Sequence, residues 1–389
     1  MKKVITLLLL VGLCVGLLVY NITLPEPESG ATEPTVTEPT TRTDPPTGEV
    51  RILNNDPGSQ AVWETLAVEY TSRTGVPVTI LNEADDGQPT LFTVSDKEEL
   101  AAVQEQCLDL SGTAAYAQLA SWDLTLTADG KVCGVAAEIE AFGLVCNASL
   151  LAKAGYTQTD IDSFSDLKVV AESITANSAD LGFSAFAKVD PTRNFPLQLA
   201  ALTEDPRAFF DLFINNATSP PTEMAGVNEE DAMEDFISGK AVFYLARTGD
   251  HNTLAALGSE NLSILPVYLG GGAEERQSLC AVGISYWCVR NDTTEPDVQA
   301  TLDFLDYLVQ PREDGSVPVD DLGLLAPYRQ ATAASNILEI ALRSELAAGK
   351  KLMVCKKVSE IPEGLDQALI TYAAEPTDDN WGAVVAAMG

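Results

Sequence analysis

Apolar positions along the chain fall into three regimes. Val4 to Tyr20 is an unbroken apolar run behind the basic head Met1-Lys2-Lys3, with Thr6 as its most polar member. Asn21 to Glu49 has almost nothing that could fill a core, holds six Pro and eight Thr, and writes Thr-Glu-Pro-Thr twice, at 32–35 and 37–40. From Val50 onward, short β-prone runs alternate with stretches of helical spacing. Val50 to Leu53 reads as a strand that ends in the turn cluster Asn54 to Gly58. Ser59 then caps a helix with Val62, Trp63, Leu66, Ala67 and Tyr70 on one face, and Gly75 stops it. Val76 to Ile80 returns as a strand, completing a βαβ unit. Thr90 to Val94 is a further strand, and Ser95/Glu98 and Asp96/Glu99 both have capping-box spacing for the helix after it.

Further along, Val132 to Val145 is a long β-prone stretch interrupted by Glu138 and Glu140. Helical periods follow at 148–154, 164–176, 205–215 and 228–238. Strands are expected at 241–245, 262–267 and 281–289, and Pro296 opens a helix carrying Leu302, Leu305 and Val309. The tail, 333–388, reads as mostly helical. Such alternation predicts an α/β architecture with mainly parallel sheets flanked by helices.

The N-terminal run and the segment after it predict an exported, tethered protein. A basic head before an apolar run inserts into a membrane with its N-terminus inside. The run lacks a small-x-small cleavage site near its end. Leu13 stands before Cys14 where a lipoprotein carries a small residue, and Val15 to Tyr20 stays apolar. An uncleaved anchor over 1–20 is therefore expected, at the short end of the ~17–25 residues that span a bilayer; lipidation at Cys14 is the second choice. Residues 21–49 form an extended stalk, reaching on the order of 90 Å at ~3 Å per residue. The body then lies at the cell surface, on the extracytoplasmic side.

Charge and cysteine content narrow the chemistry. Asp and Glu number 57 against 23 Lys and Arg, a net charge of −34. Such a body repels phosphate backbones and anionic headgroups, which excludes nucleic acid as a partner. With one His, His251, zinc sites and His-based acid–base schemes lose most of their ligands, so neither metal nor cofactor is expected. Seven Cys occur without a CxxC; those of the body read as small buried hydrophobes. No GxGxxG, GxxxxGK[ST], HExxH or GxSxG is present, and Gly270-Gly271-Gly272 reads as a flexible turn.

Five segments, in order, resemble the extracellular solute-binding proteins of ABC transporters. The closest pattern is that of the sugar-binding group that includes maltose-binding protein. The segments are Gly130-Lys131-Val132-Cys133-Gly134-Val135; Glu140 to Asn147; Leu151 to Tyr156 with Phe164 to Leu167; Phe236 to Phe243; and Leu265-Pro266-Val267 with Val282 to Ser285. The resemblance runs from about residue 50 to the C-terminus. It implies a two-lobed periplasmic-binding-protein-like fold (type II) with crossing strands at a hinge. Lobe one would hold 50–139 and 284–315, and lobe two 140–283 and 316–389. It further implies a monomeric, non-enzymatic receptor that binds a sugar or oligosaccharide in the cleft and delivers it to a permease. Two alternatives stay open: a secreted carbohydrate-processing enzyme with a carboxylate pair, and a sensory or adhesive wall domain.

The resemblance puts Glu140 at the hinge as a ligand acceptor. The other candidates are Asn54, Asn55, Ser95, Asp96, Phe142, Arg247, Asp250, Trp287 and Tyr328. Asn54 and Asn55 end the first strand, where open α/β sheets bind ligands. Capping alone explains Ser95 and Asp96. The aromatic residues would pack on sugar C–H faces. Cys133 and Cys146 stand where the family usually has Tyr, Ala136 stands near a usual Pro, and Gly249 falls where sugar binders commonly place a stacking Trp. The acidic body favours a neutral or weakly cationic solute.

Overall fold

The computed structural model describes residues 48–82, 87–190, 205–268, 277–332, 334–350, 352–355 and 362–388. The apolar run, Cys14, the stalk up to Thr47 and the Gly270–Gly272 turn lie outside them. Among the described residues, no helix is long and apolar enough to cross a membrane.

In chain order, the first half contains β1 (Val50–Leu53), α1 (Gln60–Thr74), β2 (Val78–Leu81), β3 (Leu91–Val94), α2 (Lys97–Val103), β4 (Thr125–Ala128) and β5 (Lys131–Asn147). Then come α3 (Phe164–Ala176), β6 (Ser184–Phe186), α4 (Pro206–Asn215), α5 (Glu229–Ile237), β7 (Ala241–Arg247), β8 (Leu262–Leu265), β9 (Val267–Tyr268) and β10 (Gln277–Ser278). The remainder holds β11 (Cys280–Val289), α6 (Glu295–Val309), α7 (Ile337–Ala347), β12 (Met353–Val354), α8 (Leu365–Ala374) and α9 (Asp378–Met388).

Local sequence accounts for most element boundaries. Trp63, Leu66, Ala67 and Tyr70 form the buried stripe of α1, and Gly75 closes the helix at φ 76° while its N–H donates to the Thr71 carbonyl. Entry to α1 differs from the expected Ser59 cap. Pro57–Ser59 makes a 3₁₀ turn first, which puts Ser59 in helical dihedrals and passes the capping role to Asp56, whose side chain accepts from the Gly58 N–H at 2.9 Å. At α2 the cap is Asp96, accepting from the Glu98 and Glu99 N–H groups, while Glu99 reaches back to the Ser95 N–H at 2.7 Å.

The sheet order is β2-β1-β3-β11-β5-β7-β6, with β4 and β8 pairing β5 and β12 pairing β11. Parallel pairing joins β1 to β2 and β3, β6 to β7, and β11 to β12. Every other pairing of β5 and β11 is antiparallel, so the sheet is mixed rather than mainly parallel. The cause is topological: β5 and β11 each cross from one lobe to the other, in opposite senses, and so run against each other, with β11 against β3 and β5 against β7.

Two principal cores flank that crossing. One contains Val50, Ile52, Leu66, Tyr70, Leu91, Val135, Trp287, Phe304 and Leu308. The other contains Phe142, Leu144, Leu167, Phe186, Phe209, Phe213, Phe243, Leu369 and Tyr372. Val317, Val319, Leu322, Leu325, Ala326 and Tyr328 join the first core, although the sequence reading placed 316–389 with the second lobe. In α7, Leu338 packs with Val145 and Tyr244, while Leu342 and Leu346 belong to the first core. The chain thus passes between the lobes at β5, β11 and α7. Six cysteines (Cys107, Cys133, Cys146, Cys280, Cys288 and Cys355) are buried free thiols.

Where β11 crosses, its register against β5 breaks between Gly283 and Tyr286. A side chain at Gly283 would place its Cβ 2.0 Å from the Tyr286 hydroxyl, so the ring lies directly on the bare backbone. Gly283→Ala must displace that ring or flatten the bulge. The expected outcome is a loss of about 1–3 kcal/mol in urea unfolding; unchanged stability would show the ring free to swing aside.

Candidate functional site

The crossing strands carry the chemistry. Along β5, Glu138 and Glu140 are two residues apart and therefore share one face. Both are half-buried amid strand neighbours that are fully buried. The fold gives these two acids different surroundings.

Glu140 faces a charged cluster from the second lobe. Arg247, the last residue of β7, has its Nε 3.9 Å from Glu140 Oε1 and 3.5 Å from Asp250 Oδ1, and its Nη2 contacts Glu229 at the start of α5. Asp250 is buried; it accepts from the Arg247 N–H at 3.0 Å and from the Tyr244 hydroxyl at 3.3 Å. Burial raises the Glu140 carboxyl above the ordinary carboxylate value; Arg247 opposes the shift, and Asp250, Glu229 and Glu138 add to it. Burial likewise raises Asp250, against the hydrogen bond from the Arg247 N–H and the Arg247 charge. A Cβ on Gly249 would stand 3.4 Å from Glu140 Oε1, so bare backbone covers the acid where an indole was looked for.

Glu138 faces a cavity of about 240 Å³ whose walls come from the first lobe and the hinge. Asn54, Asn55, Asp56 and Ser59 line one side, Trp63, Phe92, Leu322 and Leu324 the apolar walls, and Glu138, Ser285 and Trp287 the crossing strands. Burial raises the Glu138 carboxyl, and Asp56 adds to that shift. Sequence reasoning noted Glu138 only as a polar break in a strand. The signal that would have found it is the period of two from Glu140.

The remaining candidates separate by role. Asn54, Asn55 and Trp287 line the cavity with Glu138, while Glu140, Arg247 and Asp250 form the cluster beside it. Asn54 is committed locally: its Nδ2 donates to the Asp56 carbonyl and to Gln60 Oε1, and its Oδ1 accepts from the Asp56 N–H and the Ser59 hydroxyl. It shapes the cavity rim. Phe142 is packed in the second core and Tyr328 in the first, where its ring stacks on Trp287 at 6.1 Å and its hydroxyl donates to the Ala136 carbonyl at 2.8 Å. Neither presents an open face. Ser95 and Asp96 serve the α2 cap and lie outside the cavity wall. Among the described residues, no group of three or more His, Cys, Asp or Glu is placed to hold a metal ion.

Comparison with known proteins places this geometry. The family model for bacterial extracellular solute-binding protein matches residues 64–315. A search of curated proteins found no match. Among solved structures, apo RafE from Streptococcus pneumoniae superposes with a TM-score of 0.61 at 13% identity, covering 89% of this chain and 97% of that one. A family 1 extracellular solute-binding protein from Alicyclobacillus acidocaldarius gives 0.63 at 17% identity, covering 89% and 98%. The cyclic α-maltosyl-1,6-maltose binding protein from Arthrobacter globiformis gives 0.62 at 14% identity, covering 88% and 97%. At these identities the likeness concerns the fold.

Arg247 holds three carboxylates together, so its removal leaves them mutually repelling. Arg247→Met is expected to destabilise the protein at pH 7 by about 3 kcal/mol. The raised folded-state values of Glu140 and Asp250 set the sign. A carboxyl raised on folding costs stability above its folded value, and that cost vanishes below its unfolded value. The deficit of the variant is therefore largest at neutral pH and shrinks toward pH 4, as thermal unfolding at several pH values should record. A deficit independent of pH would mean that lost packing, not charge, is responsible.

Proposed function

This chain belongs to the bacterial extracellular solute-binding proteins, and from that premise we propose that it is the monomeric receptor subunit of an ABC importer, taking a carbohydrate into the interlobe cleft and passing it to a permease. The observation that carries the reading is the cavity at the crossing strands, where apolar walls meet a few convergent polar groups. Trp63, Phe92 and Trp287 offer apolar surface for sugar C–H groups, and Asn55, Ser285 and Glu138 offer hydrogen-bonding atoms for hydroxyls. The carbohydrate named for the Arthrobacter globiformis protein supports the same choice. Glu140, on the same strand face, would meet the solute from the second lobe as the cleft closes. The apolar run over 1–20 would hold the receptor at the outer face of the membrane.

The test is a thermal-shift screen of mono- and oligosaccharides followed by calorimetric titration. At least one sugar should raise the melting temperature. Glu140→Gln should weaken its binding tenfold or more, about 1.5–3 kcal/mol for one charged hydrogen bond. A panel without any stabilising sugar would remove the carbohydrate assignment. Unchanged affinity in Glu140→Gln would confine Glu140 to the Arg247 cluster.

A further inference from the structure

We infer that the solute taken into this cleft carries a positive charge: the cavity selects an amine-bearing, ring-sized molecule over its neutral counterpart. This deepens the proposed function and rests on it. Of the side chains lining the cavity, two are ionisable, and both are acids, Asp56 and Glu138; no Lys, Arg or His is among them. At about 240 Å³ the space lies just below the ~300–1,000 Å³ of most small-molecule sites, which suits a single ring.

The contrast between the two acids of β5 carries the inference. Glu140 has a counter-ion, because Arg247 reaches it from β7. Glu138, two residues earlier on the same face, has no hydrogen bond or ion pair among the described residues, and the charges it feels and acts on are other carboxylates, Asp56 and Glu140. A half-buried carboxylate beside a like charge is costly, and a neutral ligand would raise that cost by taking away its water. An ammonium group would instead offset both charges. It would do so between walls of Trp63, Phe92, Trp287, Leu322 and Leu324, where the local dielectric is low and the attraction strong. The net charge of −34 acts in the same direction at long range, gathering cations and turning anions away.

The experiment is competitive calorimetric titration of the full chain with D-glucosamine and D-galactosamine, with their N-acetyl derivatives, and with glucose and galactose. Choline and spermidine serve as cations that are not sugars. An amino sugar should bind at least tenfold tighter than both its N-acetyl and its parent form. Glu138→Gln, of the same shape and without the charge, should remove most of the gap between the charged form and the two neutral forms. Asp56→Asn should narrow the gap by a smaller factor and serves if Glu138→Gln fails to fold. Equal affinity for charged and neutral forms in the wild-type protein would overturn the inference and leave the carbohydrate reading standing. Binding of choline or spermidine but of no sugar would keep the selection for positive charge and overturn both the ring-sized solute and the carbohydrate reading. Binding of neither class would overturn both.

Discussion

The pairing of β5 with β11 is the contact on which the rest of the molecule depends. Each strand belongs to two lobes, so neither core can form fully without placing the other. Cys280, Ala281, Val282 and Gly283 pair with Phe142, Ala141, Glu140 and Ile139, and beyond the bulge Tyr286 and Trp287 pair with Ala136 and Val135. The register break falls between two stretches of regular pairing, where the lobes part. A hinge placed there can bend without unzipping either lobe, because the ladder bonds on both sides stay intact. The third passage, through α7, adds a helix whose two ends pack in different cores.

That constraint also explains why ionisable groups are found on an otherwise buried strand. Glu138 and Glu140 lie where β5 passes between the lobes, and there the strand face is half-open rather than buried. Their half-buried positions raise both carboxyls, a cost to the unliganded protein. Arg247 offsets part of it for Glu140 and leaves it in place for Glu138. A site that keeps such a cost in the empty state gains discrimination when a solute relieves it.

Much of this was legible in the chain. The periodicities at 164–176, 205–215 and 228–238 correspond to the helices Phe164–Ala176, Pro206–Asn215 and Glu229–Ile237, and the stop at Gly75 and the strand pattern around Glu140 to observed features. The parallel bias was overdrawn because alternation of strands and helices fixes neighbours, not the sense in which a lobe-crossing strand runs. Tyr328 and Phe142 are candidates as aromatic residues; whether a ring faces a cleft or a core depends on packing from β5, β11 and β7, which no local pattern contains. The position of 317–331 in the first core is likewise a matter of long-range packing. Glu138 is readable from the two-residue period that starts at Glu140.

The central claim is that solute is bound between two lobes that close about β5 and β11. Small-angle X-ray scattering of the full chain, with and without a saturating solute identified by calorimetry, tests it most directly. Closure predicts a smaller radius of gyration and maximum dimension in the bound state, both returning to the free values when the solute is removed. Identical scattering from free and fully bound protein would contradict the account, placing the solute on one lobe and leaving the hinge without a part in binding.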